Sequence, residues 1–200
     1  MGRMEQGYIR IWNEVNTPNE KYICKFSPPL YALGGAMLFD RQKYFYLGGF
    51  DPLFHPFRWE DIDLCYRALK RGWKILYEPK STVFHKHHGT LEKVFQPDYL
   101  NIVEQKNELL FIWKNIQERS WILEHFRKLP WFLLSHLISG RYNFARALLR
   151  ATIQLPEAWK KRAEEKKQCL QPDCQVLEKS LQFYQKFVRR GFHHRREIRK

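Results

Sequence analysis

Glu60, Asp61 and Asp63 crowd the entrance of a short helix pattern that ends at Gly72, within Arg58–Trp73 (RWEDIDLCYRALKRGW). An apolar run (Trp73, Ile75, Leu76, Tyr77), Glu78-Pro79 and a second short run (Thr82, Val83, Phe84) follow, and the latter delivers His85. These are the parts of a base-and-metal site. Asp61 falls in the first helical turn, where unpaired N–H groups and the macrodipole favour negative charge. A carboxylate kept ionised there can take a proton from a hydroxyl. Glu60 points elsewhere on the helix and can hydrogen-bond an incoming polar substrate. His85, leaving a strand, can offer an imidazole nitrogen to a divalent metal. Spacing alone leaves a second reading open, because acidic residues in a first turn often serve only the helix dipole.

The elements that must position these groups follow from periodicity and punctuation. Met1–Pro29 reads as irregular, with a turn at Asn16-Thr17-Pro18-Asn19. A strand is expected over about Tyr31–Phe39, running into a helix capped by Asp40 that ends at Gly48-Gly49. Phe50–Arg58, with Pro52 and Pro56, is a loop over the site, and Asp51 is a turn former. After the Glu-Asp helix, two short strands lead to His85. A long helix spans Asp98–Ile116, with apolar residues at Ile102, Leu109, Ile112, Trp113 and Ile116. Helices are then expected over Ser120–Leu129, Trp131–Ser139, Arg141–Gln154, Glu157–Gln168 and Cys174–Arg190, punctuated by Pro130, Pro156 and Pro172. The basic run 191–200 reads as a disordered tail.

An ordered set of short motifs sharpens the reading. Gly34-Gly35-Ala36-Met37-Leu38-Phe39-Asp40-Arg41 precedes Gly48-Gly49-Phe50-Asp51, then Trp59-Glu60-Asp61-Ile62-Asp63-Leu64, Arg67, Gly72-Trp73, Tyr77-Glu78-Pro79 and Val83-Phe84-His85. In this order the chain resembles the carboxyl-terminal half of the catalytic domain of family 2 glycosyltransferases. It looks most like the bacterial enzymes of cell-surface polysaccharide and cell-envelope synthesis, including the rhamnosyltransferase-like branch. The resemblance covers roughly Leu30 to Ile116, with a weaker tail through Glu104–Phe111.

The resemblance implies an inverting transfer of a sugar from a nucleotide-sugar donor to a hydroxyl of a glycan or lipid-linked acceptor. Asp61 would be the general base and Glu60 would help hold the acceptor. Gly34, Gly35 and Ala36 would line the floor near the sugar and diphosphate, and Trp59 would form part of the acceptor wall. His85 would help bind a divalent metal (Mg or Mn) or the diphosphate. The implied fold class is α/β, a partial GT-A (Rossmann-like) domain followed by an α-helical region. The domain division is 1–116 for the catalytic half, 117–190 for a basic amphipathic helical region and 191–200 for the tail. The family's nucleotide-binding half, with its Asp-x-Asp metal motif, has no counterpart in Gly2–Pro29, and Asp61-Ile62-Asp63 sits on a helix beside the base rather than in that role. A fragment of a longer enzyme is therefore expected.

Charge is unevenly spread. Residues 1–100 carry 14 basic and 11 acidic side chains, net +3, whereas residues 101–200 carry 21 and 10, net +11. No zinc finger, Arg-rich groove helix or aromatic RNA-binding signature accompanies the positive half, so a nucleic-acid partner is not expected. From Ser120 aromatic-aliphatic clusters alternate with Lys and Arg, a pattern that suits the headgroup region of an anionic leaflet, although the same stripes could pack on the catalytic part. The longest apolar stretch, Trp131–Ile138, is too short to span a bilayer, and Met1–Gly7 lacks the apolar core of a signal peptide. Cys24, Cys65, Cys169 and Cys174 read as reduced thiols, and Cys169 and Cys174 with His193 and His194 match no common zinc spacing. The expected location is the cytoplasm, peripheral to the inner face of the membrane. Two other readings compete: an inactive remnant, and a basic membrane- or nucleic-acid-binding module.

Overall fold

A computed structural model describes residues 2–11, 30–76, 78, 81, 83 and 90–181. Its centre is a long helix, α4 (Pro97–Asn115). Leu100, Ile102, Val103 and the run Leu109–Trp113 are buried on more than one side of α4, so this helix must be covered all round. Pro97 in its first turn costs nothing, because that N–H would have no helical partner.

Four other helices provide the cover: α2 (Glu60–Lys70), α5 (Arg119–Ile138), α6 (Asn143–Ile153) and α7 (Leu155–Gln168). α6 and α7 lie closest, and fully buried Ala147, Ala151 and Ala158 let their backbones approach. Tyr66 of α2 and Trp59 pack on Phe111, with ring centroids 5.2 Å away in each case. One continuous core thus crosses residue 116 and joins the expected catalytic segment to the helices beyond it. Short α1 (Arg41–Tyr46) and α3 (Leu91–Val94) lie outside this bundle, and residues 173–181 form a further helical segment.

The amino terminus forms an antiparallel hairpin, β1 (Gly2–Glu5) and β2 (Tyr8–Ile11), paired Glu5 to Tyr8 and Gly2 to Ile11. Gln6 and Gly7 both adopt positive φ, 53° and 81°, as a tight two-residue hairpin turn requires. Gly7 has a second constraint: a Cβ there would lie 2.8 Å from the His125 Cα. Its carbonyl meets His125 Nδ1 at 2.7 Å, and the Trp113 indole donates to Nε2 of the same ring at 3.0 Å. The hairpin is therefore docked on α5, where an irregular start was expected.

Two further expectations are corrected. No strand forms over Tyr31–Phe39: Gly34–Ala36 makes a 3-10 turn, and no described strand lies alongside to satisfy its backbone groups. Pro130 does not divide the following helix, because α5 runs through it, with Trp121 and Ile122 before it and Phe132 and Leu133 after it packed on the same core. Packing on both sides outweighs the one lost hydrogen bond. Elsewhere punctuation is obeyed. Asp40 accepts the Lys43 N–H as the cap of α1, Gly48 and Gly49 close that helix with φ of 76° and 69°, and Gly72 ends α2. Trp73–Leu76 are not strand; His85, Cys24, His193, His194 and residues 182–200 lie outside the described residues.

The motif segments are tied together by buried charge. Asp63 is fully buried and accepts from Lys114 Nζ at 2.7 Å, Arg67 Nε at 2.7 Å and Asn115 Nδ2 at 2.8 Å. Arg67 reaches on to the carbonyls of Leu47 and Gly49, and Lys114 to Asp51 Oδ2 at 2.7 Å. Asp51 also caps the turn Pro52–Phe54 through the Leu53 N–H and meets Lys161 of α7 at 3.0 Å. Arg67 and Arg71 are both buried, Arg67 paired with Asp63 of the same helix and Arg71 with Glu165 and Gln168 of α7.

Removing Asp63 takes from buried Arg67 its carboxylate partner and leaves buried Lys114 with Asp51 alone. Asp63→Ala is expected to cost about 3–5 kcal/mol in urea unfolding, against about 1 kcal/mol for Asp40→Ala, which removes only a helix cap. Equal losses would show that the network does not hold the fold. Asp51 supplies a pH signature. Burial alone would raise its pKa, but the attraction and hydrogen bond of Lys114 bring it from 3.8 to about 2. A depressed carboxylate stabilises above its unfolded pKa and loses that contribution as pH falls towards its folded value. About 2 kcal/mol should therefore disappear between pH ~4 and ~2, and Asp51→Asn should flatten that part of the stability–pH curve.

Candidate active site

The approach to the Glu-Asp helix is built from unusual backbone. Arg58 and Trp59 both have positive φ, 68° and 74°. This conformation costs a bulky L-residue of order 1–3 kcal/mol at each position. Trp59 is recovered by burial: its ring, 9% exposed, packs at a 44° tilt against Phe111, and its carbonyl accepts the Asp63 N–H at 2.8 Å to start α2. Arg58 is anchored by an ion pair with Glu104. The chain thereby turns sharply, and Glu60 and Asp61 emerge half-buried at the helix entrance.

Asn107 holds this turn from beneath. Its Nδ2 lies within 2.8–2.9 Å of the carbonyls of Phe54, Phe57 and Arg58, and its side chain is fully buried in α4. Lys106 beside it donates to the His55 carbonyl at 3.0 Å. Sequence reasoning assigned Asn107 no role beyond the weak tail of the resemblance. No signal distinguished it: Asn107 lies within the polar run Glu104–Glu108 of α4, where it reads as one more polar helix residue.

Asp61 and the Gly-Gly-Ala turn meet directly. The Gly34 N–H donates to Asp61 Oδ2 at 3.0 Å, and the Ile62 N–H to Oδ1 at 2.8 Å. Gly34, Gly35 and Ala36 are exposed, so the carboxylate lies at the edge of an open backbone floor. The sequence led to an Asp61 kept readily ionised by its helix turn. In the structure burial outweighs the backbone N–H groups and raises its pKa above 3.8. Burial, aided by the neighbouring Asp61 charge, also raises Glu60. Glu60 Oε2 is buried with no hydrogen-bond partner among the described residues, an unsatisfied acceptor at the mouth of the site.

Asp61 and Asp63 do not act together. Two residues apart on a helix they face different directions, and Asp63 is consumed by the internal cations. Among the described residues no three His, Cys, Asp or Glu side chains converge as a metal site. The Asp-Ile-Asp triplet therefore does not fit a shared ion, and His85, the expected metal residue, lies outside the described residues. Cys65 is a buried thiol whose pKa burial pushes up to about 11, its sulfur accepting the Ala32 N–H, which makes it an inert prop under the glycine turn.

Two short likenesses bear on what this site serves. Over 96 residues, 42% of this chain, it is 31% identical to N-acetylgalactosaminyltransferase 7 of Homo sapiens. Over 45 residues, 22% of the chain, it is 42% identical to a pre-mycofactocin glycosyltransferase of Mycobacterium tuberculosis. The similarity is to glycosyltransferases. The chain spans only 15% and 9% of the lengths of these curated relatives. No protein-family model matches it, and no solved structure matches it.

Asn107→Ala removes the donor shared by three carbonyls and should cost about 1–3 kcal/mol, with faster amide exchange across 58–63. Asn107→Asp, which sets acceptors against acceptors, should cost more. Unchanged exchange in both variants would show that Asn107 does not position the turn.

Proposed function

We propose that this chain carries the acceptor side of an inverting, family 2-like glycosyltransferase site of GT-A type, with Asp61 as the general base. The observation that carries the reading is the contact between Asp61 and the exposed Gly34 turn, with the unsatisfied Glu60 oxygen adjacent. Burial that raises the proton affinity of Asp61 suits a base that must take a proton while a bond to sugar forms. In the reaction Asp61 removes the acceptor hydroxyl proton as that oxygen attacks the anomeric carbon. The bond to the diphosphate breaks on the opposite face and the diphosphate leaves with the electron pair. Glu60 accepts a hydrogen bond from the acceptor, and the Gly34–Ala36 backbone approaches the sugar and diphosphate without side-chain obstruction. Buried Trp59 fixes the wall behind them rather than lining it openly.

The donor is a nucleotide-linked sugar and the acceptor a glycan or lipid-linked glycan; N-acetylgalactosamine is the sugar for which one relative is named. The divalent ion of this reading draws on His85 and groups outside the described residues, and no step above depends on it. The family assignment rests on the motif order, and the two partial likenesses support a glycosyltransferase in general.

The test begins with calorimetric titration of the chain with UDP and dTDP, with and without Mn²⁺, followed by a transfer assay on the chain or a longer polypeptide containing it. Asp61→Asn should lower kcat by at least roughly 100-fold, the scale of general-base catalysis, while leaving diphosphate binding nearly intact. The acid limb of kcat/KM should lie above the ordinary Asp value of 3.8, activity rising as Asp61 loses its proton. Near-normal turnover in Asp61→Asn would remove the base from this role.

A further inference from the structure

Helix α5 is apolar on two opposite sides. One side, including Trp121, Ile122, Leu129, Phe132 and Leu133, packs on the core. The other carries Leu123, Arg127, Trp131, Leu134 and Ile138 at helical spacing, and is exposed: Leu123 is 69%, Trp131 74% and Ile138 78% accessible. This stripe is about 22 Å long at 1.5 Å per residue. An apolar helix face of that length needs an occupant.

The charge around the stripe says which. Residues 119–153 contain six Arg or Lys and one acidic residue, Glu124, which is already paired with Lys128. Arg127, Arg141 and Arg146 form no ion pair among the described residues, and Tyr142, exposed, follows at the end of the stripe. The next helix adds exposed Leu149 and Ile153 beside Arg146 and Arg150. No described helix is long and apolar enough to cross a membrane.

We propose that the outer face of α5 is a membrane-contact surface, lying in the headgroup layer of an anionic bilayer with Trp131, Leu134 and Ile138 inserted and the arginines on lipid phosphates. Exposed Trp and aliphatic residues interleaved with unpaired Arg match that layer on both counts, apolar at depth and anionic at the surface. The inference stands on this helix alone and does not depend on the chemistry at Asp61.

The test is co-sedimentation of the full chain with vesicles of phosphatidylcholine alone and of phosphatidylcholine containing about one-third phosphatidylglycerol. The chain should bind the anionic vesicles, and added salt should weaken binding. W131E with I138E should lower partitioning at least about tenfold, without changing the circular dichroism or melting temperature, since neither residue is in the core. Should that pair prove unstable, R127Q with R141Q alters charge only and should lower partitioning roughly fivefold per arginine. Absence of binding, or binding that ignores both pairs, overturns the proposal. Self-association without lipid that W131E/I138E abolishes also overturns it, and makes the face an interface between two copies.

Discussion

The carboxylate of Asp63 is the interaction on which the rest of the structure depends. It is buried on the inner side of α2, where an unpaired charge could not persist, and it takes a lysine, an arginine and an amide together. Each donor belongs to something else as well. Arg67 carries the Leu47 and Gly49 carbonyls, and Lys114 carries Asp51 and through it the turn Pro52–Phe54. The glycine pair that ends α1, the loop above the site, the Glu-Asp helix and α4 are thus one electrostatic unit. Lys161 extends the unit to α7. This explains why the helices after residue 116 belong to the same body as the motifs before it.

A second carboxylate, Asp173, does comparable work at the far end of α2. It accepts from Tyr66, from Lys70 and from the backbone N–H groups of Gln117 and Glu118, where α5 begins. The start of α5 has no capping side chain of its own, so a residue more than fifty positions away supplies the cap. With Asp63 at one end and Asp173 at the other, α2 is clamped along its buried side. Its opposite entrance is left free for Glu60 and Asp61.

What was legible in the sequence was local. Asp40 as a cap, the glycines closing α1 and α2, the turn at Asp51 and the extent of α4 follow from capping, φ preference and period, and all appear. What was not legible depended on partners distant in sequence. Tyr31–Phe39 has strand-like composition, but a strand exists only beside another, and the glycine pair turns instead. Pro130 is a breaker by local rule, yet core contacts on both sides carry α5 through it. The hairpin at Gly2–Ile11 depends on His125 and Trp113, more than a hundred residues on. At the site, the sequence placed Asp61 and Gly34 in one motif set, and the structure joins them by a hydrogen bond. Asn107, which holds the turn between them, is silent in sequence because its partners are backbone carbonyls.

The pKa directions show what this arrangement costs. Asp63 and Asp51 are lowered by their cations and stabilise the folded state above the ordinary carboxylate range. Glu60 and Asp61 are raised by burial, so the folded state holds their protons more tightly than the unfolded chain and loses stability as pH rises through those values. Arg58 and Trp59 add two strained backbone positions immediately before them. Four consecutive residues, 58–61, therefore work against folding, and the residue two positions after them anchors the network that offsets it. A helix entrance serving only its own dipole would need neither positive φ at a tryptophan nor a buried acceptor without a donor. Local cost concentrated at an open glycine floor, with compensation packed directly behind it, is what the proposed site requires.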